Sequence, residues 1–529
     1  GVKINKILGQ MSDPKIFSLL AIYGYNLPFE FSEAAIAEAE AGKIPPLGRR
    51  ADFRDVDLVT IDGEDARDFD DAVWAAPDTD ERNPGGWRII VAIADVAYYV
   101  RLNSALDKEA RLRGNSVYFP DRVVPMLPEA LSNELCSLKP NVDRACMAIE
   151  MIISSQGKIK SYRVKRGLMR SRARLTYRQV QNAIEGKVDK VTESLKDLVI
   201  APLYGAFQSL LKARKQRGTL ELELPERQIL FHPDGTVKDI VTRERFESHK
   251  LIEEFMIAAN VAAAKTLIAK NWTGIFRVHE TPDTLKVANL RQFLKQMKLN
   301  LAKSPNVTPQ QFNQILGQVQ GKPFERLISD LILRSQAQAR YSPHNIGHFG
   351  LSLSHYAHFT SPIRRYSDLV VHRALISALE LGDDGYPEMP TTLDKIAEHI
   401  SNTERLAASA EREVVDRYAI AFIATKTNDI FQVTIVGVNR FGLFVEVQSI
   451  GAQGFIPKAN LGTDMFHFEE EHHRLVSRRS RKIYQLGDTL LAKLIQADPI
   501  SSSLIFTVEN ESPQMRTSKK QKKKLRSKQ

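Results

Sequence analysis

A chain of 529 residues with a hydrophobic fraction of 43% has room for three or four domains with genuine cores. Its formal net charge of +11 favours a polyanionic partner, nucleic acid or an acidic membrane surface. No apolar run is long enough to cross a bilayer, and the opening GVKINKILGQMSDPKIF lacks the apolar segment of a signal peptide, so no membrane partner is expected.

Cys136 and Cys146 have no metal-type spacing and read as free thiols in a reducing, cytoplasmic compartment. The chain opens on Gly rather than Met, as a processed or trimmed chain would. A monomer is the expectation, and the sequence names no protein partner.

Residues 1–50 read as helical turns ending at Pro45 and Pro46. One helix is expected within ILGQMSDPKIFSLLAIYGY, with Ser12 or Asp13 as cap and Pro14 at its first position. From about 51 to 153 the pattern is strand-rich: VDLVTID, WRIIVAIADVAYYV and ACMAIEMIIS are short apolar or alternating runs, and APDTDERNPGG reads as a hairpin loop. The period then turns helical. Thr176 and Gln179 are spaced for a capping box, and helices are predicted over 191–217, 247–270, 284–340 and 364–428, with a Gly- and His-rich break at 344–362. From about 430, IFQVTIVGV, GLFVEVQ, AQGFIP, TLLAKLIQA and SLIFTVE predict a five-stranded barrel of the OB type. The tail carries eight basic residues and no acidic one from Arg516 onward, and reads as disordered.

The most informative segment is TIDGEDARDFDDAVW, with Asp62, Asp65, Asp68, Asp70 and Asp71 inside ten residues. Packed like charges repel, so the cluster gains nothing unless cations sit there. Two divalent ions about 4 Å apart would neutralise it and clamp the attacking and leaving oxygens of a phosphodiester. Oxygen-only ligands favour Mg²⁺ or Mn²⁺ over zinc. An EF-hand fails, because its sixth and twelfth positions, counted from Asp62, hold Arg67 and Val73. On spacing alone an acidic surface loop stays open beside the metal site. His344, His348, His355 and His358 lack the spacing of a zinc finger and read as satisfied polar residues. RVKRGLMRSRARLTYR reads equally as an RNA-facing surface or as solvated strand edges.

The segment IDGEDARDFDDAV resembles the signature of the ribonuclease II and ribonuclease R family of exoribonucleases. RGNSVYFPDRVVPMLPEALSNELCSL, HKLIEEFMIAAN and HFTSPIRRYSDLVVHR match the same family in order, so the resemblance spans about residues 50–510. The tail and the HKLIEE stretch resemble the ribonuclease R branch. The resemblance implies an α+β catalytic domain of RNB type, strand-rich first and helical second, followed by an all-β S1 barrel of the OB type. It divides the chain into a connector at 1–50, a catalytic domain at 51–428, an S1 domain at 429–512 and a basic tail at 513–529. The family usually carries further OB or cold-shock barrels before the catalytic region, and residues 1–50 match only the connector.

The implied activity is Mg²⁺-dependent hydrolysis of single-stranded RNA from its 3′ end to nucleoside 5′-monophosphates. By resemblance Asp62, Asp68, Asp70 and Asp71 hold metal, and Asp70 is the residue whose loss stops chemistry. Asp65 is extra to the motif. Arg364 would bind the scissile phosphate, with Arg365 a second RNA contact; the bland alternative is an ion pair from Arg364 to Asp368. Tyr118 would stack on the 3′-terminal nucleotides, or sit in a strand core. Glu253, rather than Glu254, would contact a ribose, a way to tell RNA from DNA. Leu222 stands where the family commonly has phenylalanine, so a looser grip on the bound strand is expected. In the barrel Phe441 and Phe444 flank a glycine where stacking aromatics are exposed, Phe466 and His467 extend that surface, and SRRSRKIY adds charge. Phe444 reads equally as core.

Overall fold

The computed structural model describes residues 7–10, 13, 15–302, 307–322, 324–386, 390–470 and 474–509. The predicted tail beyond 512 lies outside them. Helices α1 (Ile16–Gly24) and α2 (Glu33–Glu40) lead the chain. The capping differs from expectation. Asp13 stays outside α1, its carboxylate accepting from the Lys15 amide at 3.0 Å, while Ser12 and Pro14 lie outside the described residues.

Strands β1 (Ala51–Phe53), β2 (Val59–Asp62), β3 (Asp71–Pro77) and β4 (Trp87–Ala94) follow. Next come helices α3 (Val96–Tyr99) and α4 (Ala105–Arg113), hairpin β5 (Val117–Tyr118)–β6 (Val123–Val124), and a π-helical turn at Ala130–Leu135. Strands β7 (Asp143–Ile153), β8 (Ile159–Arg170) and β9 (Ala173–Thr176) complete the first half. Seven strands form one sheet in the order β1-β8-β7-β4-β3-β2-β9. The β3–β4 pair is the hairpin predicted around APDTDERNPGG. β4 is apolar at almost every position and buried from Ile89 to Ala94, as a central strand covered on both faces must be. The basic stretch after 163 mostly knits this sheet: Arg166 is buried on Asp95 at 2.7 Å, Arg170 pairs with Asp143, and Arg174 donates to the carbonyls of Gly63 and Glu64.

The helical half begins with α5 (Tyr177–Ile184), which carries the expected Thr176–Gln179 capping box. A π-helical turn at Lys196–Ile200 runs into α6 (Ala201–Arg217), and α6 stops at Gly218, whose φ of 73° suits only a residue free of a Cβ clash. Hairpin β10 (Arg227–Phe231)–β11 (Val237–Thr242), α7 (Glu247–Ala269) and β12 (Phe276–Val278) follow. Helices α8 (Thr284–Gln296), α9 (Pro309–Val319) and α10 (Glu325–Ser335) share a small core of their own. β13 (Arg340–Ser342) pairs with β12, and α11 (Tyr366–Ala378) and α12 (Pro390–Ala424) close this half. In the Gly- and His-rich break, His348 packs edge-on against His279 and Tyr356, and His358 shares a 2.9 Å hydrogen bond with Tyr341, so these rings are satisfied as expected.

Strands β14 (Ile430–Asn439), β15 (Gly442–Val447), β16 (Gln453–Pro457), β20 (Thr489–Asp498) and β21 (Ser503–Val508) close a barrel in the order β14-β15-β16-β21-β20, the five runs predicted from period two. Between β16 and β20 sits a separate three-stranded sheet that sequence reading missed: β17 (Phe466–Glu469), β18 (Arg474–Ser477) and β19 (Ile483–Gln485). The barrel core is continuous with one face of α12 and with α1, which fastens the barrel to the catalytic half. No helix among the described residues is long and apolar enough to cross a membrane.

A candidate active site at a carboxylate cluster

β2 ends at Asp62 and β3 begins at Asp71, so the two carboxylates flank one loop at the same end of the sheet. Phe69 anchors that loop: its ring is buried, its amide donates to Ser137 Oγ at 3.0 Å, and its carbonyl accepts from Leu138. The Asp70 carbonyl accepts from Ala94 on β4, and Asp70 itself is buried. Asp65 is exposed at the tip, in keeping with its place outside the motif.

The second wall is the segment just before α11. The Ile363 amide donates to Asp70 Oδ1 at 2.9 Å, and Arg364 Nε lies 3.7 Å from Asp70 Oδ2. Arg364 Nη2 donates to Ser361 Oγ at 3.0 Å, leaving much of the side chain exposed above the carboxylates. Backbone pairing fixes the segment, since the Ser116 amide donates to the Arg364 carbonyl and the Tyr366 amide to the Gly114 carbonyl. The same strand region leads into β5, and the Tyr118 hydroxyl donates to Asp68 Oδ2 at 3.1 Å. Tyr118 is 40% exposed, so its ring stands at the mouth of the cluster rather than in a strand core.

Electrostatics set this site apart. Burial raises the Asp62 carboxyl, and the negative charges of Asp71 and Asp68 raise it further. Burial likewise raises Asp70 and Asp71, against the pull of Arg364. Asp62 Oδ2 and Asp71 Oδ2 are buried with no hydrogen-bond partner. Buried, unpartnered carboxylate oxygens beside more negative charge are costly unless a cation satisfies them, so the donor set fits a hard divalent ion. The carboxylates are not drawn into a closed cage; among the described residues no group of three or more acidic, His or Cys side chains is so arranged. An ion here would complete its shell with water or phosphate oxygens, which Mg²⁺ favours.

Several expectations need correction. Arg365 turns away from the cluster: its Nε and Nη2 donate to Asp368 at 3.0 and 2.8 Å. The ion pair to Asp368 that was the bland alternative for Arg364 forms from Arg365 instead, so two of the Arg365 donors are already engaged. Both Glu253 oxygens are engaged, one by Arg214 at 3.2 Å and one by Arg245 at 2.6 Å, while Glu254 is buried on Arg214 at 2.7 Å. A ribose would have to share Glu253 with two arginines. Phe466 is 1% exposed and packs on Tyr484 inside the inserted sheet, so it is core rather than a stacking surface; His467, its neighbour, points outward. Phe441 and Phe444 are 61% and 47% exposed, with the Phe444 ring 5.1 Å from that of Phe455. Leu222 packs against the core of α8–α10.

Sequence reading also missed Tyr177. Register pairs Asp62 with Thr176, which sets Tyr177 beside the cluster, where burial first and then the charges of Asp71 and Asp62 raise its hydroxyl. Its ring stacks on His249 at 3.9 Å. The available signal was its place directly after the capping threonine on the strand beside Asp62.

Comparison with known proteins places this architecture. The RNB domain model matches residues 50–381, more than half of the chain, and the S1 RNA binding domain model matches 425–509. This chain belongs to the RNB family. The RNB protein is 39% identical to ribonuclease R of Vibrio parahaemolyticus over 99% of its own length and 64% of that relative, so it spans about two thirds of a curated relative. Its fold superposes on Mycoplasma genitalium RNase R in complex with ribose methylated single-stranded RNA with a TM-score of 0.89 at 28% identity, covering 96% of this chain and 79% of that one. It also shares the fold of yeast Ssd1, described as a pseudonuclease, with a TM-score of 0.69 at 19% identity over 88% of this chain and 58% of that one.

Proposed function

We propose that this RNB protein is a divalent-cation-dependent 3′→5′ exoribonuclease that hydrolyses single-stranded RNA to nucleoside 5′-monophosphates. One observation carries the reading: beside the buried Asp70, the half-buried Asp62 and Asp71 each hold a buried, unpartnered Oδ2, beneath the exposed side chain of Arg364. Asp62, Asp68, Asp70 and Asp71 would hold the cation, Mg²⁺ on oxygen-only ligands, with Mn²⁺ a substitute. Such an ion supplies Lewis-acid stabilisation of the attacking and leaving oxygens.

The chain's own groups do the rest. Arg364 offsets the charge that grows on the scissile phosphate, held at the right height by its Ser361 contact and by the Ile363–Asp70 bond. Tyr118 offers a sequence-blind platform for the 3′-terminal bases and orients Asp68. Phe441 and Phe444 on the barrel suit bases further along the strand. We assign 51–428 to catalysis and 429–512 to RNA binding, with 1–50 as connector and 513–529 as tail. The two buried free thiols fit a reducing cytoplasm.

The rival is a non-catalytic RNA-binding protein with a degenerate nuclease domain. End-labelled RNA and DNA incubated with Mg²⁺ or EDTA separate the two. Mononucleotide release from RNA that needs both Mg²⁺ and Asp70 supports the enzyme; RNA binding without turnover sinks it.

A further inference from the structure

The loop from Asp62 to Asp71 is anchored unevenly. Its far half, 67–70, is well tied. The Ser137 hydroxyl donates to the Arg67 carbonyl at 2.7 Å, Phe69 is bonded through both its amide and its carbonyl, and Asp70 is bound by the amides of Ala94 and Ile363. The near half, 63–66, begins one residue after Asp62. Among the described residues it has two weak polar ties of its own: a 3.3 Å turn bond from the Ala66 amide to the Gly63 carbonyl, and a 3.6 Å surface ion pair between Glu64 and Arg178. The firm hold comes from Arg174 on β9. Its Nη2 donates to the Gly63 carbonyl at 2.8 Å and to the Glu64 carbonyl at 2.6 Å.

Register explains the reach. β9 runs parallel to β2, with Arg174 opposite Thr60 and Thr176 opposite Asp62. A side chain as long as arginine can pass the end of β2 and meet the loop beyond it. The same guanidinium lies 5.6 Å from the centre of the Phe69 ring. One group therefore touches the loop just after Asp62 and again between Asp68 and Asp70. A cation serving only to offset acidic charge would sit against a carboxylate, as Arg364 does at 3.7 Å from Asp70. Arg174 bonds carbonyls instead, and Asp62 Oδ2 stays unpartnered.

We propose that Arg174 is a positioning residue for the cation site: it sets the path of the loop between Asp62 and Asp68, and with it the spacing of the carboxylates that a divalent ion must bridge. The inference rests on the reading of those carboxylates as cation ligands. Groups that orient metal ligands without touching the metal are worth about 10–100-fold in affinity. The charge of Arg174 acts the other way, because removing a nearby positive charge favours a bound cation. The two effects have opposite signs, and the geometry favours positioning. Both hydrogen bonds are short and go to neutral carbonyls, whereas the half-buried guanidinium is partly screened by water.

The test is Mn²⁺ binding to the RNA-free protein, with free Mn²⁺ counted by electron paramagnetic resonance. Arg174→Met keeps the stem and loses the donors and the charge. Arg174→Lys keeps the charge and one nitrogen, which can take the place of Nη2. Arg174→Met should weaken Mn²⁺ binding at least about tenfold, and Arg174→Lys should stay within about threefold of wild type. With Mg²⁺, turnover by Arg174→Met should fall most at limiting ion, with KM for RNA unchanged. Unchanged or tighter Mn²⁺ binding by Arg174→Met overturns the proposal. Equal losses in the two variants also overturn it, since the donor nitrogen would then not matter. A raised KM for RNA with wild-type Mn²⁺ affinity makes Arg174 an RNA ligand and overturns it too. Melting in EDTA shows which variants fold. If Arg174→Met does not, Arg174→Gln decides: one short donor and no charge bind Mn²⁺ more weakly than wild type if positioning governs, and more tightly if charge does. Wild-type protein that binds no Mn²⁺ sinks the reading of the carboxylates instead, so the two failures are distinct.

Discussion

The backbone amide of Ile363 donates to Asp70 Oδ1 at 2.9 Å across 293 residues of sequence. This bond joins the loop between β2 and β3 to the segment that carries Arg364, so the acidic and basic halves of the site are locked in register. It also makes the fate of Asp70→Asn predictable. The amide side chain keeps an oxygen for the Ile363 N–H but loses its charge. Turnover of labelled RNA should fall at least about a hundredfold, the scale of removing one preorganised electrostatic group. The melting temperature in EDTA should hold or rise, because a buried charge is relieved. A clear drop in melting temperature with matched loss of activity would show Asp70 to be structural.

Cation and pH should act together on stability. Burial raises the carboxyls of Asp62, Asp70 and Asp71, and repulsion from neighbouring aspartates raises Asp62 and Asp70 further. Without metal, the folded protein therefore keeps protons that the unfolded chain, titrating near pH 4, has released. The sign follows: stability lost to these groups grows as pH rises from about 4 toward neutrality. A bound divalent ion needs them deprotonated and reverses the loss. The rise in melting temperature on adding Mg²⁺ should thus be small near pH 5 and larger near pH 8, and weaker throughout in Asp70→Asn. A shift independent of pH would remove these carboxylates as ligands.

Adjacent arginines should fail in opposite ways. Arg364 is 44% exposed above Asp70, so Arg364→Ala should lower turnover by roughly a hundredfold with little change in melting temperature. Arg365 is bound to the fully buried Asp368, which also accepts from the Ser361 amide. Removing its guanidinium strands a buried carboxylate, a loss of roughly 3 kcal/mol in denaturant unfolding. Activity of the surviving folded Arg365→Ala should stay closer to wild type than that of Arg364→Ala. The reverse pattern would exchange their roles.

That pair also marks where sequence reading stops. SPIRRYSD names both arginines, but only the bridge of Asn115 to Arg365 and the bonds to Asp368 decide which one faces the aspartates. Period two found the barrel strands because strands such as β14 and β20 bury alternate side chains along their middles. It could not find β17–β19, where DMFHFEE offers aromatic residues to both faces and Phe466, not Phe468, became the most buried. Glu253 looked free on its helix because its partner Arg214 comes from α6, 39 residues earlier. The acidic cluster itself was legible, since no soluble core tolerates such a run without a reason; its depth of burial was not.

Tyr118 should set where degradation stops. Its hydroxyl orients Asp68, its ring stands exposed, and its own amide donates to Glu411 Oε1 on α12 at 2.7 Å. Tyr118→Phe keeps the ring and loses one hydrogen bond, so turnover should fall by only about fivefold with unchanged end products. Tyr118→Ala removes a stacking platform worth about 1–3 kcal/mol per base, so short intermediates should dissociate and end products lengthen. Glu411 acts one step back, by holding the strand that carries the ring. Glu411→Gln retains an acceptor for the Tyr118 amide and should leave the products unchanged, whereas Glu411→Ala should lengthen them less than Tyr118→Ala does. Gel resolution of end products from one labelled RNA checks all four. Identical products from Glu411→Ala and wild type would sever α12 from the site, and unchanged products from Tyr118→Ala would move the terminal platform to another ring.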